Sequence, residues 1–288
     1  MKWTRLSPAA LMASLLAIGM AFATSNAIAT PVANGAVLYP RHFNDCPGTN
    51  LNPFNAYPAS LGFSEASLTC SSGINLHDWD LSANGGATSA VFNNGDAFQL
   101  RATLILTNQK GPGVEGGLRI SPWWDQFASG YFNVRLNDGE IACFGGVLPF
   151  FSFTGAFGIL YEAKVPIRLE VIYLPHSNEW YDPATIEYQV LWKGVLYSSG
   201  PLAFFNCDDV SHGCYGIMDD ARVGGRVQTN FFAGVGARAS NDSGTFLGLS
   251  FVALPPAASS SVSRSPTPAV LNAPPAPTTW GRVKAVYR

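Results

Sequence analysis

The residues that could do chemistry fall into two groups. Glu140, Glu170 and Glu187 each sit in or beside a segment patterned as a β-strand. Paired carboxylates cleave a glycosidic bond when they flank it about 5 to 10 Å apart, one as acid and the other as base or nucleophile. No sequence spacing joins these three, so only the tertiary fold could pair them. The second group binds rather than cleaves. Trp123, Trp124 and Asp125 follow Pro122 directly, and flat indole faces stack on sugar rings while a nearby acid fixes hydroxyls. Two adjacent tryptophans cannot both enter the core from a regular strand, so at least one is open to a ligand or caps the end of the fold. Trp180, followed by Tyr181, offers the same choice.

Alternation in the segment YFNVR places Tyr131, Asn133 and Arg135 on one side of a strand. Arg119, Glu140, Arg168, Glu170, Glu187 and Gln189 also fall away from the apolar side of their segments. Brought together, these residues would form either a polysaccharide site, in which guanidinium forks suit acidic sugars, or a self-satisfied ion-pair network on a solvated sheet. The predicted glycan contacts are Trp123, Trp124, Asp125, Tyr131, Asn133, Arg135, Arg168 and Trp180.

Other chemistries have less support. Cys207, Asp208, Asp209, His212 and Cys214 could bind zinc, but a disulfide between Cys207 and Cys214 suits an exported chain better. Cys46 and Cys70 bracket a polar N-terminal segment and could tie it down, with other pairings open. Cys143 is left over and reads as a small buried hydrophobe, since no His lies near it in sequence to activate a thiolate. The segments Asn93 to Asp96 and Asn241 to Gly244 read as oxygen-rich turns that could take calcium, although turn formation alone explains them. No cofactor is expected, and there is no phosphate-cradling loop or nucleophile elbow.

These residues need elements to position them. Residues 30 to 95 read as coil rich in Asn, Pro and Gly. From Phe98 the chain alternates as half-buried strands do: Leu100, Ala102 and Leu104; Leu118 and Ile120; Ile167, Leu169, Val171 and Tyr173. One hairpin turns at Lys193-Gly194, with Ile186, Tyr188, Val190 and Trp192 leading in. Asp138-Gly139 signals a two-residue type I′ turn, setting Leu136 against Ile141, Arg135 against Ala142 and Val134 against Cys143. The stretch from Phe150 to Tyr161 has no clear period. Residues 245 to 254 close the pattern, and no amphipathic helix of ten residues appears.

This array resembles the laminin-G and concanavalin A-like jelly rolls, most clearly in PIRLEVIYLPHSNEWYDPATIEYQVLWKGVLYSSGPLA (166–203) and in FLGLSF (246–251). The resemblance implies an antiparallel sandwich of two curved sheets whose polar face often binds carbohydrate. The Glu-x-Asp-x-x-Glu strand of jelly-roll glucanases is absent. A jelly-roll polysaccharide lyase would need a Tyr or His base beside Arg and amide neutralisers, which Tyr131, Asn133 and Arg135 only partly supply, with no Gln-x-His strand beside them.

The ends set the address. Lys2 and Arg5, an apolar run to about Ala23 and the small-x-small Ala27-Ile28-Ala29 read as a signal peptide over residues 1–29. The apolar run is shorter than the ~20 residues a membrane-spanning helix needs. Residues 30–254 form the sandwich domain, carrying 11 Lys or Arg against 19 Asp or Glu, an acidic balance that argues against nucleic acid. Residues 255–279 read as a solvated Pro/Ser/Ala linker. Residues 280–288, WGRVKAVYR, resemble C-terminal tags of some exported bacterial proteins of unknown function; a sorting or attachment tag and a frayed tail both fit. The expectation is a secreted, periplasmic or surface-held glycan-binding module. Its alternatives are a polysaccharide-cleaving hydrolase or lyase on the same fold, and a structural envelope protein without a small ligand.

Overall fold

The computed structural model describes residues 30–67, 73–108, 113–121, 129–146, 148–177, 181–205, 211, 218–231 and 240–255. They form an antiparallel jelly-roll sandwich of two seven-stranded sheets. The first sheet runs β1 (Gly35–Asn44), β4 (Gly73–Ser82), β13 (Arg222–Phe231), β6 (Val114–Ser121), β7 (Gly130–Arg135), β8 (Ile141–Phe144) and β9 (Phe151–Ser152). The second runs β12 (Val195–Phe204), β11 (Ala184–Trp192), β10 (Ile167–Leu174), β5 (Phe98–Thr107), β14 (Ser240–Ala253), β3 (Ser60–Ser67) and β2 (Asn50–Ala56). The chain crosses between sheets from β1 to β2, β3 to β4, β4 to β5, β5 to β6, β9 to β10, β12 to β13 and β13 to β14, so half of the neighbouring strand pairs are distant in sequence.

Alternation decides what each strand buries. β5 and β11 alternate buried and half-buried residues along their whole length, sending Leu100, Ala102, Leu104, Ile186, Tyr188 and Val190 inward. Trp79, Leu118, Ile120, Phe132, Val134, Val223 and Val227 meet them from the first sheet. Aromatic rings bridge the layers: Trp79 meets Phe246 edge-on at 5.2 Å, and Phe132 meets Tyr188 at 5.5 Å. Each such side chain, fully buried, contributes about 1.5–3 kcal/mol relative to exposure. Cys143 is a free thiol inside this core, as expected from its place in the hairpin. At one end the interior is polar. Glu65 on β3 reaches across to His77 at 3.0 Å and Asn75 at 2.6 Å on β4, and Thr49 donates to the same carboxylate. Burial pushes the Glu65 carboxyl up, but the His77, Thr49 and Asn75 contacts outweigh it and hold the group below its ordinary value.

Three expectations are corrected. Residues 30 to 95 are not mainly coil but supply β1 to β4. β4 lacks alternation because it is buried on both faces, with Asn75, His77, Asp78 and Asp80 buried alongside Leu76, Trp79 and Leu81, and β1 and β2 lack it because most of their residues are half-buried or exposed. The hairpin after β7 is not a two-residue turn. Val134 pairs with Ile141 and Asn133 with Ala142, and Arg135 N donates to Glu140 O at 2.8 Å, so residues 136 to 139 form the connection. Leu136 N donates instead to Val114 O at 2.9 Å, and Asp138 Oδ1 accepts from Glu140 N at 3.1 Å, which favours the longer loop. The register moves by two residues, so every side chain keeps its face. Residues 241 to 244 form no turn; they pair with β3 inside β14.

Other elements follow the sequence closely. The Lys193-Gly194 turn has both residues at positive φ, 49° and 83°, joining Trp192 to Val195 as a type I′ turn requires. The unplaced Phe-rich stretch forms β9 and a one-turn helix α1 (Phe153–Phe157), capped by Ser152 Oγ on Gly155 N and ended by Gly158 at φ 67°.

Candidate functional site

The outer face of the first sheet, turned away from the core, carries the densest polar chemistry. Strand register arranges it in rows. One row runs Asp80, Gly224, Arg119, Tyr131, Phe144; the next runs Asp78, Arg226, Gly117, Asn133, Ala142; a third runs Leu76, Gln228, Glu115, Arg135. The glycines are required where strands approach closely. A Cβ on Gly117 would strike the carbonyl oxygen of Phe132, and one on Gly224 that of Trp79.

The floor of this face is an ion-pair network. Asp78 is fully buried and binds Arg226 through two nitrogens, Nε at 2.5 Å and Nη2 at 2.7 Å. It also faces Arg119 at 3.5 Å and His42 Nδ1, from β1, at 2.5 Å. Arg119 pairs with Asp80, whose other oxygen accepts from Ser89 at 2.8 Å, and Ser89 meets the Tyr39 hydroxyl at 2.6 Å. Burial alone would push the Asp78 carboxyl up; Arg119 and Arg226 beside it pull harder and hold it well below the ordinary carboxylate range. Arg226 also donates to the Tyr131 hydroxyl and lies 4.8 Å from the centre of that ring. Burial raises the Tyr131 phenol above its ordinary value, so it stays protonated. Phe144 flanks Tyr131 at 6.1 Å.

Beside this floor lies an amide cluster. Glu115 accepts from Asn133 at 2.8 Å and Asn230 at 2.9 Å. Burial pushes the Glu115 carboxyl up, and its Asn133, Arg135 and Asn230 neighbours offset this only in part. Arg135 is held by Asp138 and by Glu140 at 3.1 Å.

The fold therefore joins Arg119, Tyr131, Asn133, Arg135 and Glu140 on one face and separates them from Arg168, Glu170 and Glu187. Arg168, Glu170 and Glu187 lie on β10 and β11, whose apolar partners Leu169, Val171, Ile186 and Tyr188 point to the core, so they occupy the outer face of the second sheet. There Glu170 accepts from Gln99 and stands 3.6 Å from Arg101, and Glu187 accepts from Gln189 at 2.7 Å and Ser198 at 2.6 Å. The single groove lined by all of them does not form. Alternation gave each residue its outward side but not its sheet. Trp123, Trp124, Asp125 and Trp180, and Cys70, Cys207 and Cys214, lie outside the described residues; Tyr181 is exposed. Cys46 is fully buried and disulfide-bonded.

The sequence reading missed His42, Asp78, Asp80, Glu115 and Arg226. The first three lie in the segment read as coil, and Arg226 follows two glycines that erase the apolar alternation of β13. The available signal was the paired Asp78 and Asp80 flanking Trp79, charge spaced by two beside an aromatic residue. Among the described residues no cluster of three or more His, Cys, Asp or Glu is placed to hold a metal, and Asn93 to Asp96 closes as a turn, with Asp96 Oδ2 accepting from Asn93 N at 2.6 Å.

No protein-family model matches the chain, and no curated protein matches it either. Among solved structures it is similar to the alginate lyase from Corynebacterium sp., at 12% identity over 73% of this chain and 82% of that one, with a TM-score of 0.42. It is also similar to a seed lectin of Lotus tetragonolobus, at 12% identity over 77% of this chain and 100% of that one, TM-score 0.40. A protein of unknown function from Shewanella oneidensis MR-1 is 10% identical over 86% of this chain and 98% of that one, TM-score 0.38. Likenesses this distant assign no chemistry to the outer face, which rests on its own residues.

Proposed function

We propose that the protein binds a glycan on the outer face of the first sheet. The observation that carries this reading is the buried floor of Asp78, Asp80, Arg119 and Arg226 on a face turned away from the core. A solvated sheet needs no such network, whereas a binding site gains from side chains fixed in advance. That floor holds Tyr131 in place beside Phe144, with Asn133 adjoining, giving rings for stacking and amides for hydroxyls. With the expected signal over 1–29, the linker over 255–279 and the tag over 280–288, the proposal extends to a secreted, periplasmic or surface-held protein whose tag engages sorting or attachment machinery.

The test is retention of the full chain on a panel of immobilised neutral and acidic polysaccharides, with and without calcium. Wild type should bind at least one, and Tyr131→Ala should weaken that binding roughly tenfold or more, as loss of a central aromatic contact does. No binding to any glycan sinks the proposal and leaves the structural envelope role.

A polysaccharide lyase is the second reading, favoured by the Tyr131 phenol lying against Arg226 and next to Asn133, with His42 on Asp78 nearby. In such a reaction a base removes the proton next to the sugar carboxyl, the electron pair forms a C=C bond, and the glycosidic C–O bond breaks as its oxygen takes a proton. A protonated Tyr131 suits the last step. The commitment of both arginines to aspartates leaves less charge to neutralise a uronate. Unsaturated ends released from any uronate polymer by wild type, and not by Tyr131→Phe, would establish the lyase.

A further inference from the structure

Hydrogen-bond direction in the amide cluster carries an inference that rests on the glycan-binding reading and specifies its ligand. A carboxylate only accepts, so both oxygens of Glu115 fix the amides that meet them. Asn133 turns its Nδ2 to one and Asn230 its Nδ2 to the other, at 2.8 and 2.9 Å. Asn230 Oδ1 then takes Gln228 Nε2 at 2.6 Å. The sequence of donors runs inward toward Glu115 without interruption. Its outward ends are acceptors: Asn133 Oδ1 and Gln228 Oε1 receive no donor from a described residue, and Gln228 and Glu115 are half-buried, in reach of solvent.

Charge points the same way. Asp78, Asp80, Glu115, Asp138 and Glu140 share this face with the guanidiniums of Arg119, Arg135 and Arg226, and Arg222 stands at the opposite end of β13 from Gln228. The first three are bound to carboxylates of the same face, and Arg222 donates to the backbone oxygens of Asp220 and Ala221. A sugar carboxylate placed over Asn133 and Gln228 would meet two acceptors backed by the Glu115 carboxylate, with no guanidinium beside it and only the second N–H of each amide to receive it. A hydroxyl placed there would donate to both.

We infer that the Glu115–Asn133–Asn230–Gln228 cluster makes the face selective for neutral sugars, read through their hydroxyl donors, and turns away uronates of the same linkage. This is the opposite of what the arginines alone suggested, because their charge is already spent inside the protein.

The experiment compares matched polymers at neutral pH: a glucan against polyglucuronate, a mannan against polymannuronate and a galactan against polygalacturonate, each titrated into the full chain. Wild type should bind the neutral member of at least one pair tenfold or more tightly, on the scale expected when buried acceptors lose their donor. Glu115→Gln lets the side chain donate as well as accept and frees Asn133 to present its nitrogen, so the neutral-to-uronate ratio should fall about tenfold. Gln228→Arg, at a half-buried position, should move the ratio the same way. Tighter binding of the uronate by wild type overturns the inference while the glycan reading stands. An unchanged ratio in both variants also overturns it. Binding to neither member of any pair overturns the glycan reading itself.

Discussion

Asp78 concentrates the electrostatics of the outer face in one carboxylate, meeting two guanidiniums and the His42 imidazole from full burial. Removing one partner of a buried ion pair leaves the others uncompensated in low dielectric. Asp78→Asn should therefore cost about 3–5 kcal/mol, read as a lowered urea midpoint at pH 7. The sign with pH follows from the direction of the shift. The folded-state pKa of Asp78 lies below its unfolded value, so its stabilisation is complete above the ordinary carboxylate range and fades as pH falls below about 4. Glu115 is raised, so its contribution is fully present below its unfolded pKa and lost as pH rises through its folded one. Urea midpoints between pH 7 and pH 3 should fall steeply for wild type and less for Asp78→Asn, and Glu115→Gln should be most favourable relative to wild type at pH 7. Part of this was legible from the chain alone. Tyr131, Asn133 and Arg135 share a side that is legible because the sequence of β7 alternates cleanly, whereas Asp78 is hidden because β4 buries polar groups on both faces, and His42 because β1 is half-buried or exposed along most of its length with no period of two.

At the scale of the strand, close approach sets the limits. Gly117 lies between Arg226 and Asn133 in one row, and any Cβ there meets the Phe132 carbonyl of β7. Gly117→Ala should lower stability by about 1–3 kcal/mol, the range for overpacking, and a melting temperature matching wild type would show that the strands relax apart freely. The hairpin shows which turn signals can be trusted. Lys193-Gly194 leads from β11 into β12, the edge strand of its sheet, which pairs with β11 alone, so local turn chemistry decides. Asp138-Gly139 has the stronger local signal, yet Leu136 is drawn to Val114 of β6 and the loop lengthens. A third strand outbids a dipeptide. The faces survived because the slip was even, which is why Cys143 was rightly assigned to the core while its partner was not.

For the whole molecule, the strand pattern was enough to give two antiparallel sheets, because β5 and β11 alternate without interruption and β10 departs from the pattern only at buried Glu170. It was not enough to say which strand joins which sheet, since consecutive strands such as β5 and β6 part company while β5 and β14 adjoin. That misplaced Arg168, Glu170 and Glu187 relative to Tyr131. The same topology makes the late strands structural keystones: β13 lies between β4 and β6, and β14 between β5 and β3. A chain ending before Ser240 lacks the strand that joins β2 and β3 to the rest of their sheet, and it should show no cooperative unfolding transition by circular dichroism. A two-state transition in that truncated chain would mean the remaining strands re-pair.

The central seats of β13 and β14 also bear on the order of events at the ribosome. Neither sheet can close until nearly all of the domain has been synthesised, however early β1 to β5 emerge. A nascent chain built this way stays threadable almost to its last strand.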